Sequence, residues 1–482
     1  MIDRYAARRH NLTPVLTGAA IMGAGTLASI SVTLLSGTKT GLALALAAVA
    51  GPALFYLAVF APIVFPFGVY VMLVPFDNLL DVSAFGTLTK GLGILSGLAI
   101  LAFLLRTHRA VRPPKALLFW GLLVLWMAGS AFWALDQRSV FQELPTYLEL
   151  VLLYAAISIF PSDREMMRWA VIATIIGGMI SAAYGAYLFN SGIDLAGRGN
   201  RLWILTDTSE IDPNQFAAAL LLPIALCSTI ALYTRKYMTA IASLAALAVM
   251  LVGLVETGSR GAMLGFAAMV VYVFIRTRQR WRLAIAALPI AIVLGVLDVH
   301  ASMWSRFAQS VSTGGSGRLP IWTVGLAALR SHWLIGAGYN NFGFAYDKVL
   351  MAVPQPHFAN WHRAPHDLLL ETSVELGIVG LALLLAGWVS QFQMMRGVAT
   401  NDPDYRFRLA LEAALIATFV AALFLDVMIT KYVWLMFMLI ALLRNAHAGA
   451  RRTWGASSVL AAAPAIRGST PGLGKTGRDL VV

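Results

Sequence analysis

PNQFAAALLLPIALCSTIALYTRKYMTAIASLAALAVMLVGLVETGSRGAMLGFAAMVVYVFIR, residues 213–276, decides the fold. Three apolar runs, 213–233, 237–256 and 259–275, are parted by two short polar turns. Each run approaches the ~20 residues that a helix needs to cross a bilayer core. The first turn carries Arg235 and Lys236, the second Glu256 and Arg260. The segment therefore reads as helices that pass back and forth through a membrane.

The same pattern extends in both directions. The chain has 482 residues, 59% of them hydrophobic and only 12% charged, against roughly 25% charged in soluble domains. Further spans are expected near 15–36, 41–58, 60–76, 89–105, 116–135, 143–160, 168–189, 283–298, 367–391, 408–426 and 430–444. Pro62 and Pro66 interrupt one apolar stretch, which is either a tight hairpin or one kinked helix. Lys and Arg decide between the two. Of 36 such residues, 24 fall in the N-terminus, Arg106 to Lys115, Arg164 to Arg168, Arg235–Lys236, Arg276 to Arg282, Arg396 to Arg408, and the C-terminal tail together with Arg444 just before it. These clusters share one side only if four helices precede Arg106, and positive charge marks the cytoplasmic side. The expected fold is all-α, a polytopic transmembrane bundle of about fourteen helices, twelve at the fewest, with both termini in the cytoplasm. Residues 1–189 form N-terminal transmembrane helices, 190–445 a second region with one large outer loop at 299–366, and 446–482 a disordered tail. The basic N-terminus leads into a retained first helix, not a cleaved signal.

Positive-inside bias accounts for the net charge of +13, so nucleic acid is excluded as a partner. The single cysteine, Cys227, fits no disulfide or metal-ligand spacing. The outer loop holds Arg306, Arg318, Arg330, Arg363, His357, His362 and His366 among many aromatics. That composition suits an anionic substrate at the membrane–water interface. Within the loop, Arg318 to His332 places Leu319, Trp322, Leu326 and Leu329 at helical spacing, as an amphipathic helix lying in the interface would.

Four outer motifs stand in order: Arg198 and Arg201 before Asp212–Pro213–Asn214; TGSRGA with Arg260; GRLPIW with Arg318 and Trp322, followed by the Gly-rich GAGYNNFGF; and HRAPHDLLLETSVELGIVG, His362 to Gly380. Together they resemble the O-antigen ligase and O-antigen polymerase family over roughly residues 195–385. The resemblance implies transfer, in the periplasm at the inner membrane, of a glycan from undecaprenyl diphosphate to an acceptor sugar hydroxyl. It implies no cofactor and no metal. A ligase would use a lipid A–core acceptor; a polymerase would join lipid-linked repeat units. A diphosphate leaving group needs cationic forked donors, and Arg supplies them better than Lys. Arg201, Arg260 and Arg318 are the expected diphosphate ligands, with Arg198 as the alternative to Arg201 and with Asn214 and Trp322 in support. His366 takes the place of the family's histidine and is the expected base, with Asp367 beside it where the family usually has Asn. His362 is the competing histidine.

Each residue also has a plainer reading. Arg260 caps a helix or pairs with Glu256. Arg318 anchors its interfacial helix. Asp367, Glu371 and Glu375 lie four apart on one face, so they should face the bundle interior, and Glu375 braces Arg260. Tyr339 to Phe344 offers a platform for a sugar. A transporter or flippase is the rival class, but such proteins concentrate ionisable groups near the bilayer midplane.

Overall fold

The computed structural model describes residues 51–79, 87–191, 201–202, 204–205, 210–277, 279–282, 318–354 and 361–462. The expected spans 15–36 and 283–298, and Arg198, Arg306 and His357, lie outside them.

The helices are α1 (Gly51–Phe60), α2 (Phe67–Leu73), α3 (Leu88–Thr107), α4 (Lys115–Ser130), α5 (Gln137–Ile159), α6 (Arg164–Asn190), α7 (Pro213–Tyr233), α8 (Tyr237–Glu256), α9 (Arg260–Arg276), α10 (Arg318–His332), α11 (Phe342–Leu350), α12 (Leu368–Met395), α13 (Tyr405–Ala422) and α14 (Lys431–Ala462). A two-residue antiparallel pair, β1 (Ile204–Leu205) with β2 (Glu210–Ile211), is the exception. Seven helices are long and apolar enough to cross a membrane: α3, α5, α6, α7, α8, α12 and the first part of α14. The segments 51–60, 67–77 and 115–130 are shorter apolar helices. The chain is thus a helical integral membrane protein, with seven such spans among the described residues where about fourteen were expected. The helix α13 carries Arg406, Arg408 and Glu412 and is not one of the seven; α9 has 17 residues.

The chain breaks between α1 and α2, where both prolines sit. The Arg106 guanidinium, at the end of α3, lies 4.3 Å from the Phe60 ring centre, whereas Asp77 accepts from Thr87 at the start of α3. Residues 61–77 therefore run antiparallel to α3. From there the helices alternate. Ser130, Asn190, Asn214, Glu256, Arg260 and Asp426 meet at one end, through contacts such as Asn190 to Glu256 and Gln215 to Asp426. The basic clusters meet at the other. There Arg164 pairs with Asp402 and Asp404, Arg444 donates to the Arg112 carbonyl, and Arg282 to that of Leu232.

The centre of the bundle is α7 and α14, each 78% buried over its apolar window. Leu98, Leu101 and Leu105 of α3, Leu148 and Leu152 of α5 and Ile241 of α8 point outward, as lipid-facing residues do. Small residues set the closest approaches. A Cβ on Gly265 of α9 would lie 2.4 Å from the Ala417 carbonyl oxygen of α13, and one on Gly261 2.9 Å from Phe424 Cβ. This contact fixes Arg260, the first residue of α9.

The structure departs from the expected helices in several places, three of which bear on the site or the tail. Helix α4 stops at Ser130, because Asp136 caps the next helix through the Ser139 N–H. Helix α14 runs on to Ala462, past residue 446. Helix α12 is interrupted at Gly377, with φ 66° and ψ −167°.

Candidate active site

Four helices begin at the same end of the bundle: α7, α9, α10 and α12. Their N-termini carry uncompensated N–H groups and positive partial charge, which favour an anion. Between them lies a cavity of about 260 Å³ lined by Arg201, Asn214, Ser259, Arg260, Arg318, Arg363 and His366, with Phe424 at its wall. Each of the four sequence motifs thus contributes to one cavity: Arg201 and Asn214 from the first, Arg260 from the second, Arg318 from the third, and Arg363 and His366 from the fourth.

The hairpin closes the gap between Arg201 and the Asp212–Asn214 motif. Pairing of Ile204 with Ile211 folds the chain back, so Arg201 donates to Asn214 Oδ1 at 2.8 Å and to the Thr257 carbonyl at 2.7 Å. Asp212 accepts from the N–H groups of Asn214 and Gln215 and caps α7, with Pro213 in the first turn. Ser259 precedes Arg260; it is buried, and its hydroxyl has no hydrogen-bond partner among the described residues. Glu256 accepts from Asn190 at 3.3 Å.

Arg318 starts α10, its guanidinium 5.8 Å from the Phe424 ring centre. Burial, and then the charge of Arg260, lower its pKa from the usual value. Two guanidinium groups are thus held close in a partly dry site, an arrangement that an anion relieves. The face of α10 that packs on protein is Ile321, Val324 and Ala328, whereas Leu319 and Leu326 point outward beside exposed Trp333, Leu334 and Ile335. The expected apolar stripe is therefore split, with Leu319 and Leu326 on the face away from the protein.

His366 lies just before α12, outside the helix. Its Nδ1 is 2.9 Å from Asp426 Oδ2. Its backbone is left-handed, φ 49°, a conformation that costs a non-glycine residue of order 1–3 kcal/mol and persists only where the surroundings impose it. Trp322 imposes it in part, donating its Nε1 to the Pro365 carbonyl at 3.0 Å. Asp367 does not meet His366 with its carboxylate. Its Oδ1 accepts from the N–H groups of Leu369 and Leu370, both at 2.9 Å, and caps α12. Burial raises the Asp367 pKa against the opposing effect of those two hydrogen bonds. His362 lies outside the cavity, with its Nδ1 3.2 Å from Asp347 and its ring against Phe344.

Glu375 holds the Gly-rich loop rather than Arg260. It accepts from the N–H groups of Asn340 at 3.0 Å and Phe342 at 3.1 Å. The loop in turn fills the break in α12: Ala337 and Gly338 donate to the carbonyls of Val374 and Glu375, and Ile378 donates to that of Trp333. Only glycine fits at Gly336 and Gly377, both at positive φ, because a Cβ on either would lie within 2.5 Å of backbone. Tyr339 and Phe342 are buried by this docking, so they form no exposed platform, although Tyr339 and Asn340 line a neighbouring cavity. Glu371 faces inward beside Asp426.

Two residues of the site escaped the sequence reading. Arg363 lay inside the fourth motif but carried no role. Asp426 lay outside every motif, and its signal was a lone carboxylate at the end of an apolar run.

Residues 245–385 match the family model described as O-Antigen ligase. No match was found among curated proteins. The matched segment contains Arg260, Arg318, Trp322, Arg363 and His366; Arg201, Asn214 and Asp426 join the site from outside it. A segment similar to the O-antigen ligase family is therefore built into a larger helical bundle.

Proposed function

We propose that this protein transfers a glycan from undecaprenyl diphosphate to a sugar hydroxyl of lipid A–core, at the periplasmic face of a bacterial inner membrane. The observation that carries this reading is the convergence of Arg201, Arg260, Arg318, Arg363 and His366 on one cavity. The guanidinium groups would bind the diphosphate as forked donors. With the Nδ1 proton of His366 held by Asp426, Nε2 keeps its lone pair and can take a proton. The acceptor O–H would give its proton to Nε2 while its oxygen forms the new bond to the anomeric carbon. The bond from that carbon to the phosphate oxygen breaks, and its electron pair leaves with the undecaprenyl diphosphate. The arginines stabilise the charge that develops there. Asp426, rather than Asp367, orients the base, and Asp367 shapes the helix start.

Glycan transfer from a lipid-linked donor in nanodiscs tests the reading. Arg260→Lys and Arg318→Lys keep charge but lose the fork, and each should lower transfer about a hundredfold, the scale of losing one transition-state donor. Wild-type rates in both would reduce the arginines to anchors. A deletion strain separates the ligase from a polymerase: polymer accumulating on the lipid carrier supports the ligase, and single repeats on the carrier would make it a polymerase.

A further inference from the structure

Beside the arginine cavity lies a larger one, of about 550 Å³, within the size range of small-ligand sites. The His366–Asp426 pair stands between them, since His366 lines the first cavity and Asp426 the second. The charge of the second is reversed. Asp77, Glu143, Glu371, Glu375 and Asp426 line it, against Lys90 and Lys431.

Most of these charges are engaged. Lys431 holds Asp77 at 2.5 Å and the hydroxyls of Thr87 and Thr89 at 3.0 Å. Lys90 lies 3.9 Å from Glu149. Glu375 is taken by the loop N–H groups. Glu371 Oε2 and Asp426 Oδ1, however, are buried and accept no hydrogen bond from the described residues. A buried acceptor without a donor is costly. Two of them beside one cavity call for a ligand rich in donors. Sugar hydroxyls supply donors, and an ammonium group supplies three together with a positive charge. A phosphate or carboxylate would instead bring negative charge against this wall, with no guanidinium group to receive it.

We infer that this second cavity seats the accepting sugar, and that this sugar is uncharged or bears an amino group, without phosphate or carboxylate. The inference rests on the reading of the arginine cavity as the donor site. It gives the two substrates separate chambers of opposite charge. The accepting hydroxyl would extend past Asp426 into the arginine cavity to meet Nε2 of His366, and the diphosphate departs on the arginine side.

The test uses the full-length protein in nanodiscs and saturation-transfer NMR with three disaccharides of one size: cellobiose, the glucosamine dimer and cellobiouronic acid. The first two should bind, the amino sugar the more tightly, and the uronate should bind at least tenfold more weakly than cellobiose. Glu371→Gln should erase the advantage of the amino sugar, and Glu371→Lys should admit the uronate, with size-exclusion profiles checking that both variants fold. Equal binding of cellobiose and its uronate by the wild type, or binding of none of the three, overturns the inference. Binding of geranylgeranyl diphosphate, measured on the same sample with Arg318→Lys as control, reports the donor cavity separately. If that binding is intact while the sugars are not discriminated, only the acceptor assignment falls. If the diphosphate does not bind, the donor reading falls first.

Discussion

His366 is held from three sides. Trp322 fixes the carbonyl before it, Asp426 takes its Nδ1, and Asp367 caps the helix after it. Removing the base in His366→Ala should cost about a hundredfold or more in transfer. His362→Ala should leave transfer near wild type, because His362 faces Asp347 outside the cavity. A dead His362→Ala beside an active His366→Ala would reverse the assignment. Asp367 supports a sharper contrast. An asparagine caps a helix as well as aspartate does, whereas alanine does not, and the loss is typically about 1 kcal/mol. Asp367→Asn should therefore keep both transfer and melting temperature, and Asp367→Ala should lower the melting temperature. Loss of transfer in a well-folded Asp367→Asn would return that carboxylate to the chemistry.

At the scale of elements, the break in α12 organises the site. It lets the Gly-rich loop dock into the helix, and so aligns α10 and the His366 segment against α9 and α13. Gly377→Ala would force a side chain into a positive-φ, extended-ψ conformation that is essentially confined to glycine, at about 1–3 kcal/mol, and would bring its Cβ to 2.3 Å from the Leu334 carbonyl oxygen. It should destabilise the protein by more than the conformational cost alone and lower transfer with it. Gly121→Ala is the control. It lies inside α4 with nothing within 4 Å of its Cβ, and should stabilise by about 0.5–1 kcal/mol. Thermal unfolding of both in detergent checks the pair; equal effects would deny the break its role. The same break shows what a sequence can and cannot reveal. The apolar runs gave most helices to within a few residues, because a membrane span has a fixed length. Arg260, Arg318 and His366 were legible because their motifs are contiguous. The break was not, since Glu375–Leu376–Gly377 reads as helix until Leu334 and Gly336 are seen pressing against it. Nor was Asp426, whose meaning comes only from its position opposite His366.

Across the whole molecule, charge and chemistry separate along the bundle. The one three-ligand group among the described residues that could hold a metal ion, Asp402, Asp404 and His447, lies at the start of α13, while the arginine cavity lies at its end. Eighteen residues of helix put about 27 Å between them, and Arg164 already pairs with both aspartates. Transfer measured in EDTA should thus proceed at the untreated rate, and a loss restored by added Mg²⁺ would refute this. Membrane orientation follows from the same separation. The basic end holds Arg106, Arg112, Arg164, Arg282 and Arg444, and such residues stay on the cytoplasmic side. The cavity end should then face outward, where a lipid-linked glycan is met. Cys227 is buried, so it gives little background in cysteine labelling. Met351, 81% exposed, lies just past α11 near the cavity end, and exposed Arg109 lies just past α3 at the basic end. In intact cells, Met351→Cys should react with a membrane-impermeant maleimide, while Arg109→Cys should react only after the membrane is opened. The opposite pattern would invert the bundle and place the arginine cavity in the cytoplasm, where the proposed transfer could not occur.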